Sequence, residues 1–183
     1  MTICSVKDLE DEILREHSRR QMEAIARWVG HDKSRFRDLM TLFLRGDYRV
    51  TQRAARVVSE CALRRPELVA PWLSRMVTRM QEQGVHVAVP RNVLRIFESI
   101  RIPKTLQGKV VTICFDYLFN PSSPIALQAY SMTILLNVAE EEPGLRNELR
   151  ATIEQLLPTG SPGVNARARK VLRKLEGKRS PVV

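Results

Sequence analysis

Arg49, Arg53 and Arg56 stand at i, i+4 and i+7. On a helix that spacing puts three guanidinium groups on one side, roughly 110–130° away from the helix's apolar centre. Arg91 and Arg95 repeat the theme on a later helix, and Arg167, Lys170 and Lys174 repeat it on the last one, with Arg169, Arg173, Lys178 and Arg179 nearby. Cations aligned on neighbouring helices form a ridge that can hold phosphates, giving affinity without sequence reading. The commoner use of such residues is plainer. Long basic side chains cover helix edges and pair with carboxylates such as Glu60, Glu98 and Glu176.

No other pattern in the chain suggests reactivity. His17, His31 and His86 are scattered, and none has a second ligand type at metal spacing on its own helix. Cys4, Cys61 and Cys114 are far apart and lack a CxxC pair, and two of them fall on apolar faces. They read as free thiols rather than as a disulfide framework. There is no GxGxxG, P-loop, GxSxG or HExxH, so neither a catalytic set nor a cofactor is expected. Glu140, Glu141 and Glu142 close a helix before Pro143 and read as a solvated edge. Trp72 and Tyr130 sit in apolar stripes and are expected in the core, whereas Tyr48, beside Arg49, is expected outside.

Composition bounds the reading further. The chain has 183 residues, 44% hydrophobic and 27% charged, which suits a globular protein rather than a disordered one. Aromatics are only 5%, so apolar faces must be built from aliphatic side chains on closely packed helices. Net charge is +10 and uneven: +6 over 161–183, but −3 over 121–160. That balance favours an acidic partner. No charge-free apolar run approaches the roughly 18–20 residues of a membrane span. Acidic residues from Asp8 to Glu12 occupy the place of a signal peptide's apolar stretch, so a cytoplasmic location without membrane contact is expected.

Residues 6–29 predict one long helix or two short ones, closed by Ile25, Trp28 and Val29 before Gly30. Asp32 caps a helix over Lys33–Arg45, whose face is Phe36, Leu39, Met40 and Phe43. Tyr48 to Gly84 reads as a helical hairpin broken at Arg65-Pro66-Glu67. Its first face is Ala54, Val57, Val58 and Cys61. Its second is Val69, Trp72, Leu73, Met76, Val77 and Met80. Pro71 is tolerable there if the regular helix starts near Ala70. A third pair runs from Ala88 to Phe119 with its break at Arg101-Ile102-Pro103. A fourth starts at Pro124, breaks at Glu142-Pro143-Gly144, and has a first helix that is apolar almost all round. A last helix spans Gly163–Glu176.

The mid-hairpin prolines Pro66, Pro103 and Pro143 are 37 and 40 residues apart. A shift of 77 lands Pro66 on Pro143, Leu68 on Leu145, Val57 on Ile134, Val58 on Leu135, Trp72 on Leu149, Met76 on Ile153 and Met80 on Leu157. Two helices per unit, a mid-unit proline and a period near 40 resemble HEAT repeats, whose unit is about 40–47 residues. The resemblance covers 48–176, with a looser first pair at 6–46. It implies an all-α, right-handed α-α superhelix of about four stacked hairpins plus a C-terminal capping helix. One domain would span 1–176, followed by a disordered basic tail at 177–183. It also implies a non-enzymatic scaffold that binds another protein or peptide through a concave face built from Lys33–Arg45, Ala70–Gln83, Thr105–Phe119 and Leu145–Leu157. The alternative expectation is a nucleic-acid-binding protein using Arg49, Arg53, Arg56, Arg91, Arg95, Arg167, Lys170 and Lys174. In size and basicity the chain is also similar to HEAT-like DNA alkylation-repair glycosylases, a resemblance that no placed residue set carries.

Overall fold

The computed structural model describes residues 3–177, and every regular element among them is helical. The expected tail begins at Gly177, and the rest of it, 178–183, lies outside the described residues. The chain divides into two compact units, Met1–Ile100 and Arg101–Val183.

In the first unit the sequence sets each helix boundary locally. Residues 6–29 form two helices, α1 (Val6–Arg15) and α2 (Arg19–Val29). Ser5 accepts from the Asp8 amide at 3.1 Å while Asp8 accepts from the Ser5 amide at 3.0 Å, a reciprocal cap for α1. Extended backbone at Glu16 stops α1, and the Ser18 hydroxyl caps α2. Gly30, at φ 53°, ends α2 in a conformation that a Cβ disfavours. Asp32 then caps α3 (Lys33–Arg45) by accepting from the Ser34 and Arg35 amides at 2.8 and 3.1 Å. At Gly46 a Cβ would meet the Leu42 carbonyl at 2.5 Å and a Val50 methyl at 2.7 Å, so this turn requires glycine.

Next come α4 (Tyr48–Arg64), the short α5 (Pro66–Val69), a 3-10 turn over Ala70–Trp72, α6 (Leu73–Met80) and α7 (Ala88–Ser99). The segment from Pro66 to Met80 departs from the expected regular helix starting near Ala70. Pro71 has no N–H to give and its ring crowds the preceding turn, so the helix tightens to 3-10 across it and resumes at Leu73. The departure also turns Trp72 partly outward. It is half-buried rather than in the core, with the Arg75 guanidinium 5.2 Å from its ring. The core of the unit forms around α4, which packs against α1, α2, α3 and α7. Phe36, Leu39, Met40 and Phe43 of α3 are buried against it, as the spacing predicts.

The second unit holds α8 (Lys104–Phe119), α9 (Ile125–Glu141), α10 (Leu145–Leu156) and α11 (Pro162–Glu176). Here α9 is central and touches α8, α10 and α11, which is why it is apolar almost all round. Its Tyr130 nevertheless reaches the edge and is half-buried, contrary to the core position expected. Ser161 caps α11, and Pro162 takes the first helical position, where a missing N–H costs nothing. The acidic end of α9 is tied down: Glu141 accepts from Arg101 at 2.8 Å and Gln107 at 3.0 Å, with Lys104 3.4 Å away. Among the described residues no helix is long and apolar enough to cross a membrane.

Cys61 and Cys114 are buried and free, whereas Cys4 is exposed. Burial pushes both inner thiols up to about 12, so they stay protonated at neutral pH. Because the thiolate is the reactive form, a thiol reagent should titrate only Cys4 in the folded protein, and all three cysteines in denaturant. Rapid labelling of Cys61 or Cys114 in buffer would mean that α4 or α8 opens readily.

Candidate functional site

The basic residues aligned in the sequence divide into two groups in space. On α4, Arg49 and Arg56 are exposed and bond to no other described residue. Arg53 between them is half-buried. Its Nη1 donates to the Leu14 carbonyl at 2.7 Å and the Ile13 carbonyl at 3.3 Å, both in the last turn of α1. On α7, which packs beside α4, Arg91 is exposed. Arg95 instead donates to the Ser59 hydroxyl at 3.3 Å and lies 4.0 Å from the Glu60 carboxylate. On α11, Lys170 and Lys174 are exposed, while Arg167 turns inward to the Thr133 hydroxyl of α9. The solvent face of α11 carries Arg169 and Arg173 in its place.

Arg53 is one of three arginines that hold a helix end. A helix leaves its last carbonyls without partners and carries partial negative charge at that end. Arg53 answers this for α1. Arg35 does so for α2, donating to the Trp28 carbonyl at 2.6 Å with its guanidinium 4.9 Å from the Trp28 ring. Arg146 does so for α11, donating to the Leu175 carbonyl at 2.7 Å. Spacing along the sequence gives no sign of these bonds, because Arg53 and Leu14 are 39 residues apart.

A second basic surface lies on α3 and α6, each the second helix of its pair. Lys33, Arg37, Thr41 and Arg45 stand four residues apart along α3, and all are exposed. Arg75 and Thr78 are exposed on α6, which touches α3. The side chains of Lys33, Arg37 and Arg45 pair with no other described residue, and Arg75 contacts only the Trp72 ring. This i, i+4 stripe was visible in the sequence but was masked by the apolar face that α3 also carries.

The remaining candidates have local partners. His31 meets Arg65 at 2.6 Å, joining the turn after α2 to the turn after α4. His86 accepts from the Ala88 amide at 2.9 Å and stacks edge-on with the exposed Tyr48, ring centres 5.1 Å apart. No group of three His, Cys, Asp or Glu side chains among the described residues could hold a metal ion. A cleft of about 180 Å³ opens at the turn between α1 and α2, with Arg53 and Arg56 on one wall. In the second unit a cleft of about 360 Å³ is lined by Phe119, Ile125, Leu156 and neutral polar side chains, none of them charged.

Helical pairs with prolines at their breaks, repeated at this period, suit one family above others, and its family model, described as a HEAT repeat domain, matches residues 9–175. The chain belongs to the HEAT repeat family. Comparisons with curated proteins and with solved structures found no match. A HEAT repeat domain is a helical-repeat scaffold, a class that typically serves protein interaction. Within this HEAT domain Arg35, Arg53, Arg95, Arg146 and Arg167 tie one helix to another, whereas Arg49, Arg56 and Arg91 face solvent.

Arg53 and Arg56 separate the two roles. Arg53→Ala should lower stability in urea by about 1–2 kcal/mol, because it removes a charged donor from two α1 carbonyls. Arg56→Ala should stay within about 0.5 kcal/mol of the parent. The reverse ranking would mean that Arg53 does not hold α1.

Proposed function

We propose that the chain is a non-enzymatic HEAT scaffold that binds an acidic segment of a protein or peptide partner across α3 and α6. The family supports the scaffold part of this reading. One observation carries the choice of partner: the solvent faces of α3 and α6 hold Lys33, Arg37, Arg45 and Arg75, with no acidic partner among the described residues. Exposed cations without local carboxylates attract an acidic segment and speed its capture. Trp72, half-exposed beneath the Arg75 guanidinium, adds the residue pair on which interface energy most often concentrates. In a HEAT stack the second helix of each pair lines the concave side, so a segment lying along α3 and α6 would meet these side chains in turn. Cytoplasmic residence is part of the same proposal.

A short labelled peptide rich in Glu and Asp, titrated against neutral and basic peptides of equal length, tests the reading. The acidic peptide alone should bind. Arg37→Glu, Arg45→Glu and Arg75→Glu together should weaken it at least about tenfold, or roughly 1.4 kcal/mol. Equal binding by the parent and the triple variant would remove this face, and binding of nucleic acid alone would remove the scaffold reading.

A further inference from the structure

We infer that the outer face of α11 is a second binding surface, one that holds the phosphates of duplex nucleic acid. Arg169, Lys170, Arg173 and Lys174 occupy two successive turns of one side of the helix, and all four are exposed. None of these side chains pairs with another described residue. The one acid on the helix, Glu176, is already taken by Arg150, 3.7 Å away on α10. The opposite side of α11 is committed: Val164, Ala168, Val171 and Leu175 are buried, and the helix packs on α9 and α10. Arg167 is turned inward and belongs to that packing, so the usable stripe is not the one that spacing alone suggests.

The chemistry of this face selects among polyanions. A membrane surface would need apolar side chains to insert beside the cations, and the exposed residues of α11 include no large apolar side chain. A protein interface draws on aromatic and apolar anchors and is depleted in lysine. Four closely spaced cations without such an anchor suit a partner whose every unit carries the same charge. Binding would release counterions and read no sequence.

The test is a titration of the full chain with a short DNA duplex over a range of salt concentrations. Four phosphate contacts predict a slope of log affinity on log salt of about −3.6, and each cation neutralised to Gln should reduce that slope by about 0.9. The quadruple variant Arg169→Gln, Lys170→Gln, Arg173→Gln, Lys174→Gln should lose the binding. Arg49→Gln, Arg56→Gln and Arg91→Gln together should keep both affinity and slope. All seven positions are exposed, so circular dichroism should show the parent's helicity in both variants. Binding that survives the α11 changes, or no binding by the parent at low salt, overturns the inference. An acidic peptide or anionic vesicle that competes fully for the α11 face also overturns it, in favour of that partner. Because this face and the α3–α6 face share no residue, either can fail alone.

Discussion

The first unit depends on the crowding around α4. That helix meets α1, α2, α3 and α7, and Val50, Thr51, Ala54, Ala55, Val57, Val58, Ser59, Cys61 and Ala62 are all buried. Small side chains at Ala54, Ala55, Ala62 and Ser59 let the neighbouring axes come close, and that closeness explains how so few aromatics can fill a core. Only a narrow strip of α4 is left for polar residues. Arg49, Arg53 and Arg56 occupy that strip. Their regular spacing is therefore first a consequence of packing, and only secondarily evidence for a ligand.

The second unit solves the same problem around α9 with a different charge pattern. Its acidic end would oppose the negative end of its own helix dipole, and Arg101, Lys104 and Gln107 offset that from α8 and the turn before it. At other helix ends an arginine from a neighbouring helix does the equivalent work, as Arg35, Arg53 and Arg146 do. Part of the basic charge is thus structural, spent on helix ends. The remainder faces solvent, and it includes two runs of closely spaced cations, one on α3 with α6 and one on the outside of α11.

Local chemistry made much of this legible in the sequence. Asp32 before an apolar-periodic run, glycines 30 and 46 at helix ends, and prolines 66, 103 and 143 at hairpin breaks each act within a few residues, and each behaves as its type demands. The family followed from the same signals. What stayed hidden depended on distance or on competition between rules. Pro71 disturbed a helix that otherwise reads as regular, and carried Trp72 with it. The roles of Arg53, Arg95 and Arg167 were fixed by partners 34 to 40 residues away. The stripe on α3 shares its helix with a strong apolar face, and the apolar signal dominates any periodicity.

A guanidinium does not give up its proton under any condition in which a protein stays folded. Helix ends held by arginine are therefore fastened by bonds indifferent to acidity, whereas Lys104 and Glu141 are not. The hydrogen bonds it donates to Glu142 and Glu141 hold the Lys104 ammonium above its ordinary range, so its contribution is whole below about 10.5 and fades as the solution becomes more alkaline still. Hydrogen bonds from Gln107 and Arg101 hold Glu141 below its ordinary range, so its contribution is whole above about 4.5 and fades in stronger acid. The carbonyl ends of α1, α2 and α11 keep their fastenings at the extremes of pH, while the tie between α8 and α9 slackens in strong acid and in strong alkali alike.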